Sequence, residues 1–317
     1  MPQSRIKMFA TVTLLASMIS SAAAQRIPGR DLLRRTPLTS QHEPGSQSAT
    51  GVGGNPFLLI DYPGAEAQQF PFAISDSGKI TGYYLLPNGG TNSFLLQGKT
   101  FKDVIYPGAQ DTVAFGINKV GMIVGAYSLN GTDFHGFTLK GTKYTSFDYP
   151  SGNDTSPYGV NAAGDIVGTY YDGNGGHGFL LHKGVFTSFD QPFGGNLTNP
   201  YAINKQGTIV GMYQLQGVNH GFVLNNGVLA QLDYPGSIST NLYSINDAGD
   251  IVGDFTTDGT TWHSFLLSGG NYTVIDAPFP GTTSTTATGI NNHRQIVGQY
   301  GSEGNNTFYN FGFTTSY

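Results

Sequence analysis

Cysteine is absent from all 317 residues. That excludes disulfides, thiolate nucleophiles, cysteine-ligated metals and lipidation through a thiol. Charge is scarce as well, at 11% of the chain. From residue 55 onward nine Lys or Arg face eighteen Asp or Glu, and Arg294 is the one arginine. Phosphate neutralisation needs clustered positive charge, so no nucleic-acid partner is expected, and polyanionic glycans are disfavoured on the same ground. Tryptophan occurs once, as Trp262. No GxSxG, Walker, Rossmann or HExxH spacing is present, so no motif-borne nucleophile, phosphate cradle or metal pair can be assigned.

Long apolar runs are also lacking. Met8–Ile19 is too short to span a bilayer. It follows Arg5 and Lys7 and precedes Ala22-Ala23-Ala24. Together these read as a signal peptide over residues 1–24, with no membrane span after cleavage and a secreted or periplasmic bacterial protein as the product. Residues 25–54 are rich in Pro, Gly, Ser, Gln and Arg without hydrophobic period, and read as a disordered leader.

What is present is a repeat. Ile74-Ser75-Asp76-Ser77-Gly78-Lys79-Ile80-Thr81-Gly82 returns from Ile117, Val160, Ile203, Ile245 and Ile290, every 42–45 residues. A period of this size, with β-branched and aromatic runs, reads as propeller blades. Each period carries four short strand-like runs bounded by Gly, Asn and Pro. Asn-x-x-Gly (Asn118–Gly121, Asn161–Gly164, Asn204–Gly207, Asn246–Gly249) supplies the turn between the first two runs. Arg294 replaces the Gly in the last repeat and predicts a distorted turn. Asp-x-Pro ends the fourth run at Asp61, Asp148, Asp190, Asp233 and Asp276, with Ile105 in place of Asp once.

The chain begins with a fourth-type run at Phe57 and ends on a third-type run at Phe311. The expectation is therefore an all-β, six-bladed β-propeller over residues 55–317. It has four antiparallel strands per blade and is closed by the N-terminal strand joining the C-terminal blade. A monomer is expected.

His135-Gly136-Phe137, His177-Gly178-Phe179 and His220-Gly221-Phe222, with the INxxGxIVG cores, resemble the HAF-type extracellular repeats of bacterial proteins across residues 57–317. The pattern departs at Asn92-Ser93-Phe94, His263-Ser264-Phe265 and Phe311-Gly312-Phe313. The resemblance implies an exported protein of repeated β-structure. It transfers no catalytic residue.

The repeated histidines and the Asp before x-Pro read as scaffold, and no metal site is assigned. Function is expected where the repeat fails, in the fourth-to-first and second-to-third loops, which share one end of the propeller. These are rich in amides and hydroxyls and suit a neutral glycan, another polar small molecule or an envelope component. Trp262 is the candidate stacking face, with Asn153, Asn199 and Asn241 as hydrogen-bonding groups. The alternative is a hydrolase, lactonase or lyase at the axial opening. It would use Glu66, Asp111, Asp154 and Glu303, with calcium as the candidate cofactor and no other cofactor expected.

Overall fold

The computed structural model describes residues 48–317 apart from 52–53, 55, 64–68, 87–88 and 305–306, and leaves out the side chains of 303–311. The signal peptide, most of the leader and Glu66 lie outside the described residues.

Strands follow one another as antiparallel meanders. The first is β3 (Gln69–Ile74), β4 (Ile80–Leu85), β5 (Thr91–Gln97) and β6 (Thr100–Val104), after β1 (Ser48–Thr50) and β2 (Pro56–Ile60). Next come β7 (Asp111–Ile117), β8 (Ile123–Ser128), β9 (His135–Lys140) and β10 (Lys143–Phe147). The third is β11 (Asp154–Val160), β12 (Ile166–Tyr171), β13 (Gly176–His182) and β14 (Val185–Phe189). A single parallel bridge, Gly176 to Leu197, links it to β15 (Leu197–Ile203), β16 (Ile209–Leu215), β17 (Val218–Asn225) and β18 (Val228–Gln231). Then follow β19 (Ser239–Ile245), β20 (Ile251–Thr256), β21 (His263–Ser268) and β22 (Asn271–Val274). The last run is β23 (Thr282–Ile290), β24 (Gln295–Gly304) and β25 (Thr307–Ser316).

The outer neighbour of β25 comes from the other end of the chain. β2 pairs with it antiparallel, Leu58 opposite Thr314 and Ile60 opposite Gly312. β1 then pairs with β2, so Ser48–Thr50, inside the stretch read from sequence as a leader, adds an edge strand to this sheet. Successive sheets pack face to face: β4 on β7, β8 on β11, β12 on β15, β16 on β19, β20 on β23, and β24 on β3. The architecture is an all-β propeller, with the first strand of each meander innermost.

Two local features explain the repeated residues. Every innermost strand carries a bulge, skipping Phe72, Phe115, Tyr158, Tyr201, Tyr243 and Thr288 in its pairing with the next strand. A bulge re-aims one side chain, and here it turns those side chains toward the axis. The glycine of Ile-Val-Gly lies beside that bulge. A Cβ there would overlap the facing strand's backbone and lie 2.7–3.0 Å from a fully buried Phe ring (Phe94, Phe137, Phe179, Phe222, Phe265 or Phe313). Glycine and the Phe two residues after the repeated His position are thus one packing unit.

The Arg294 turn is not distorted. Its N–H reaches the Asn291 carbonyl at 3.1 Å, as Gly249 reaches Asn246 at 3.1 Å. Arg294 takes φ 56°, the left-handed region that favours glycine. Its guanidinium compensates by bonding both carboxylate oxygens of Asp250, at 2.9 and 3.1 Å.

Candidate functional site

The repeated polar residues are occupied in holding blades together. Each Asn of Asn-x-x-Gly accepts N–H bonds within its own turn through Oδ1, as Asn161 does from Ala163 and Asp165. Its Nδ2 reaches the backbone carbonyl of the equivalent residue in the next repeat. Asn118 donates to Asn161, Asn161 to Asn204, Asn204 to Asn246, Asn246 to Asn291 and Asn291 to Ser75, at 2.9–3.3 Å. Ser75 has no amide to continue the series.

A second clasp joins the end of each outermost strand to the next blade. The residue before the Pro of each such turn sends its N–H forward to a Thr hydroxyl in the next innermost strand: Tyr106 to Thr112, Tyr149 to Thr155, Gln191 to Thr198, Tyr234 to Thr240, Ala277 to Thr285. Tyr62 does the same to Gln69 at 2.6 Å. Where that residue is Tyr, its ring stacks on the next blade: Tyr106 on Tyr127, Tyr149 on Tyr170, Tyr234 on Phe255 and Tyr62 on Tyr84, 3.5–4.2 Å apart. Where it is Gln191 or Ala277, a Phe two residues on, Phe193 or Phe279, takes the place against Tyr213 or Tyr300.

Histidine and Asp-x-Pro form one motif. His135–Asp148, His177–Asp190, His220–Asp233 and His263–Asp276 pair at 2.8–2.9 Å, always thirteen residues apart. The repeat with Asn92 at the His position has Ile105 at the Asp position, so both partners are missing together. Burial opposes the charged form of His177, but Asp190 and Asp172, one on each ring nitrogen, outweigh it and raise its pKa. Among the described residues no three His, Asp or Glu side chains are grouped to share a metal ion.

Most residues singled out from sequence belong to this framework. Trp262 is 7% exposed and its indole N–H finds no partner among the described residues, so it presents no stacking face to solvent. Asn199 is buried, accepting from Thr169 Oγ1 at 2.8 Å. Asn241 is buried and donates to Asp254 at 2.7 Å. Asn153 is exposed, its N–H bonded to the Tyr171 carbonyl. Asp111 accepts the backbone N–H and the hydroxyl of Thr91, and Asp154 the backbone N–H of Phe134, each in the preceding blade. Glu303 lies in β24 opposite Phe308, with its side chain outside the described set.

Two features were not found from sequence. One is Asp254, fully buried in β20. It accepts from Asn241 Nδ2, Thr286 Oγ1 (3.0 Å) and the Tyr243 hydroxyl. Desolvation raises its pKa to about 7, with those three donors pulling the other way. The available signal was the residue after Ile-Val-Gly or its Thr-Gly counterpart, which changes in every repeat: Tyr83, Ala126, Thr169, Met212, Asp254, Gln299.

The other is a funnel on the axis. Phe72, Phe115, Tyr158, Tyr201 and Tyr243 form an arc of rings 4.9–5.3 Å apart, and Thr288 holds the sixth place. Beyond this plug lies a cavity of about 110 Å³ whose throat is Ile74, Ile117, Val160, Ile203, Ile245 and Ile290. It continues into a second space of about 90 Å³ bounded by the Asn turns, with Asp76, Lys119, Ala162, Lys205, Asp247 and Asn292 at the mouth. The loops expected to carry function lie at the opposite end. The funnel opens among the scaffold turns, at the position following each Asn, which varies while its neighbours repeat.

No family model and no curated protein matches the chain. Solved structures do. Streptogramin B lyase superposes with a TM-score of 0.50 and 19% identity over 81% of this chain and 87% of that one. A putative TolB from Agrobacterium tumefaciens gives 0.55 and 13%, over 68% and 82%. A variant of the Aleuria aurantia lectin in complex with Fucα1-6GlcNAc gives 0.50 and 11%, over 79% and 95%. The shared feature is the β-propeller fold. No helix among the described residues is long and apolar enough to cross a membrane.

Proposed function

We propose that this chain is an exported propeller of the HAF-repeat type, secreted or periplasmic, whose six blades close into a ring and which acts as a monomeric binding protein through the axial funnel. Closure is supported by β2 on β25, by Asn291 donating to Ser75, and by Tyr62 clasping the first blade as its counterparts clasp theirs. The funnel carries the functional reading, because it is a concave opening on the axis to which each repeat contributes, with a throat of Ile or Val throughout and mouth residues that vary between repeats.

Binding is favoured over a hydrolase, lactonase or lyase. Asp111 and Asp154 are committed to backbone amides of the neighbouring blade, and Asp254 is sealed from solvent. A neutral glycan remains a candidate ligand for the funnel, although Trp262, Asn199 and Asn241 are not free to receive it. The test is Ala162→Trp, which plugs the mouth without touching the core. Titration calorimetry against neutral monosaccharides and small polar metabolites is expected to show a ligand whose heat disappears in the variant. Binding that persists unchanged in the plugged protein would refute the funnel reading.

A further inference from the structure

The six mouth residues are arranged by charge. In chain order they are Asp76, Lys119, Ala162, Lys205, Asp247 and Asn292. Asp247, Asn292 and Asp76 are successive turns and form one arc. The arc is fixed by its own bonds. Asn292 Nδ2 donates to Asp247 Oδ2 and Asp76 Oδ2, both at 3.0 Å, and the backbone N–H of Asn292 donates to Asp76 Oδ1. The backbone N–H groups of Lys205 and Asp247 continue the relay to Asp247 and Asn292. Two carboxylates are thus held about one neutral amide.

The other arc is Lys119, Ala162 and Lys205. Lys119 is exposed and has no carboxylate within ion-pair distance among the described residues, and Lys205 Nζ stands 3.9 Å from Asp247. Two negative and two positive side chains therefore ring the opening, with Lys205 and Asp247 already in contact, above a throat of isoleucine and valine. For scale, an apolar cavity of about 150 Å³ accommodates benzene. The 110 Å³ here suits a smaller branched group.

We infer that the funnel binds a free aliphatic α-amino acid of leucine size. Its ammonium lies on the Asp247–Asn292–Asp76 arc, its carboxylate toward Lys119 and Lys205, and its side chain among the isoleucines. A neutral sugar offers no charge to Lys119, which has no carboxylate partner of its own among the described residues, or to the Asp76–Asp247 arc. This deepens the funnel reading above and rests on it.

Titration calorimetry with L-leucine, isoamylamine, 4-methylpentanoate and methyl α-glucoside tests it. L-leucine is expected to bind, and the two singly charged analogues at least about ten-fold more weakly, each losing one charged contact. The double variant Lys119→Ala, Lys205→Ala is expected to lose L-leucine binding with an unchanged melting temperature, since both side chains are exposed. Ile203→Phe, which fills the throat, should weaken L-leucine more than glycine. If L-leucine gives no heat, or if the amine alone binds as well, the zwitterion assignment is wrong. Should methyl α-glucoside bind instead and be blocked by Ala162→Trp, the funnel reading survives and this inference falls. Failure of every probe removes both.

Discussion

Asp254 is a carboxyl placed where its anion is disfavoured by burial and only partly supported by three donors. An acid whose folded-state pKa lies above its unfolded value adds stability below the unfolded value, near 3.9, and loses it as pH rises through about 7. Asp254→Asn should therefore match the parent near pH 4 and exceed it at pH 8, by up to about 4 kcal/mol, in thermal melts across pH 4–9. A variant less stable at pH 8 would overturn this. His177 works in the same direction, since its raised pKa adds stability below its unfolded value and loses it as pH rises through the folded one. Arg294 balances backbone strain against a bidentate contact. Arg294→Gly relieves φ 56° yet leaves Asp250, 5% exposed, without its guanidinium. A net loss of about 1–2 kcal/mol is expected by denaturant titration, and a gain would show that strain dominates. From sequence the Arg294 turn was visible and its rescue was not, because Asp250 belongs to another repeat.

Between neighbouring blades the forward clasps set stability. The amide series breaks at Ser75, whose hydroxyl meets Ser77 Oγ and the Lys79 N–H within its own turn. Ser75→Asn should restore it and add about 1 kcal/mol, a rise of about 2–4 °C in melting temperature; no rise would mean the joint is already satisfied. Tyr149 lies 3.6 Å from Tyr170 at an interplanar angle of 2°. Tyr149→Ala should cost about 2–3 kcal/mol, and Tyr149→Phe much less, if stacking dominates. Strands and turns were legible because their signals are local: β-branched runs, Asn-x-x-Gly, proline. The joints were not, because an Asn that starts a turn gives no sign that its other side reaches the next repeat. The His–Asp pairing did leave a trace in the joint loss at Asn92 and Ile105, which only a comparison between repeats reveals. The funnel stayed hidden because its charged residues sit in turns that repetition marked as scaffold.

Across the whole molecule, the first and last parts of the chain share a sheet. With no native cysteine, a single introduced pair reports on that contact. Leu58→Cys with Thr314→Cys should oxidise readily, since the two face each other in register. The link is expected to raise the melting temperature, as it closes nearly the whole described chain; the chain-entropy limit is about 5 kcal/mol. A pair that stays reduced under mild oxidation would argue against closure. The all-β propeller class could be read from the period and its strand-like runs, while Trp262 and the buried asparagines could not be placed, because burial is decided by neighbouring blades. Phe57 is fully buried against Phe279 and Phe313, so β2 is anchored by its ring as well as its ladder. A strand donated from the far end of a chain can be donated to a different chain with the same contacts. Refolding at high concentration should therefore yield exchanged dimers that dilution at native temperature resolves only slowly, each molecule completed by the other's β2.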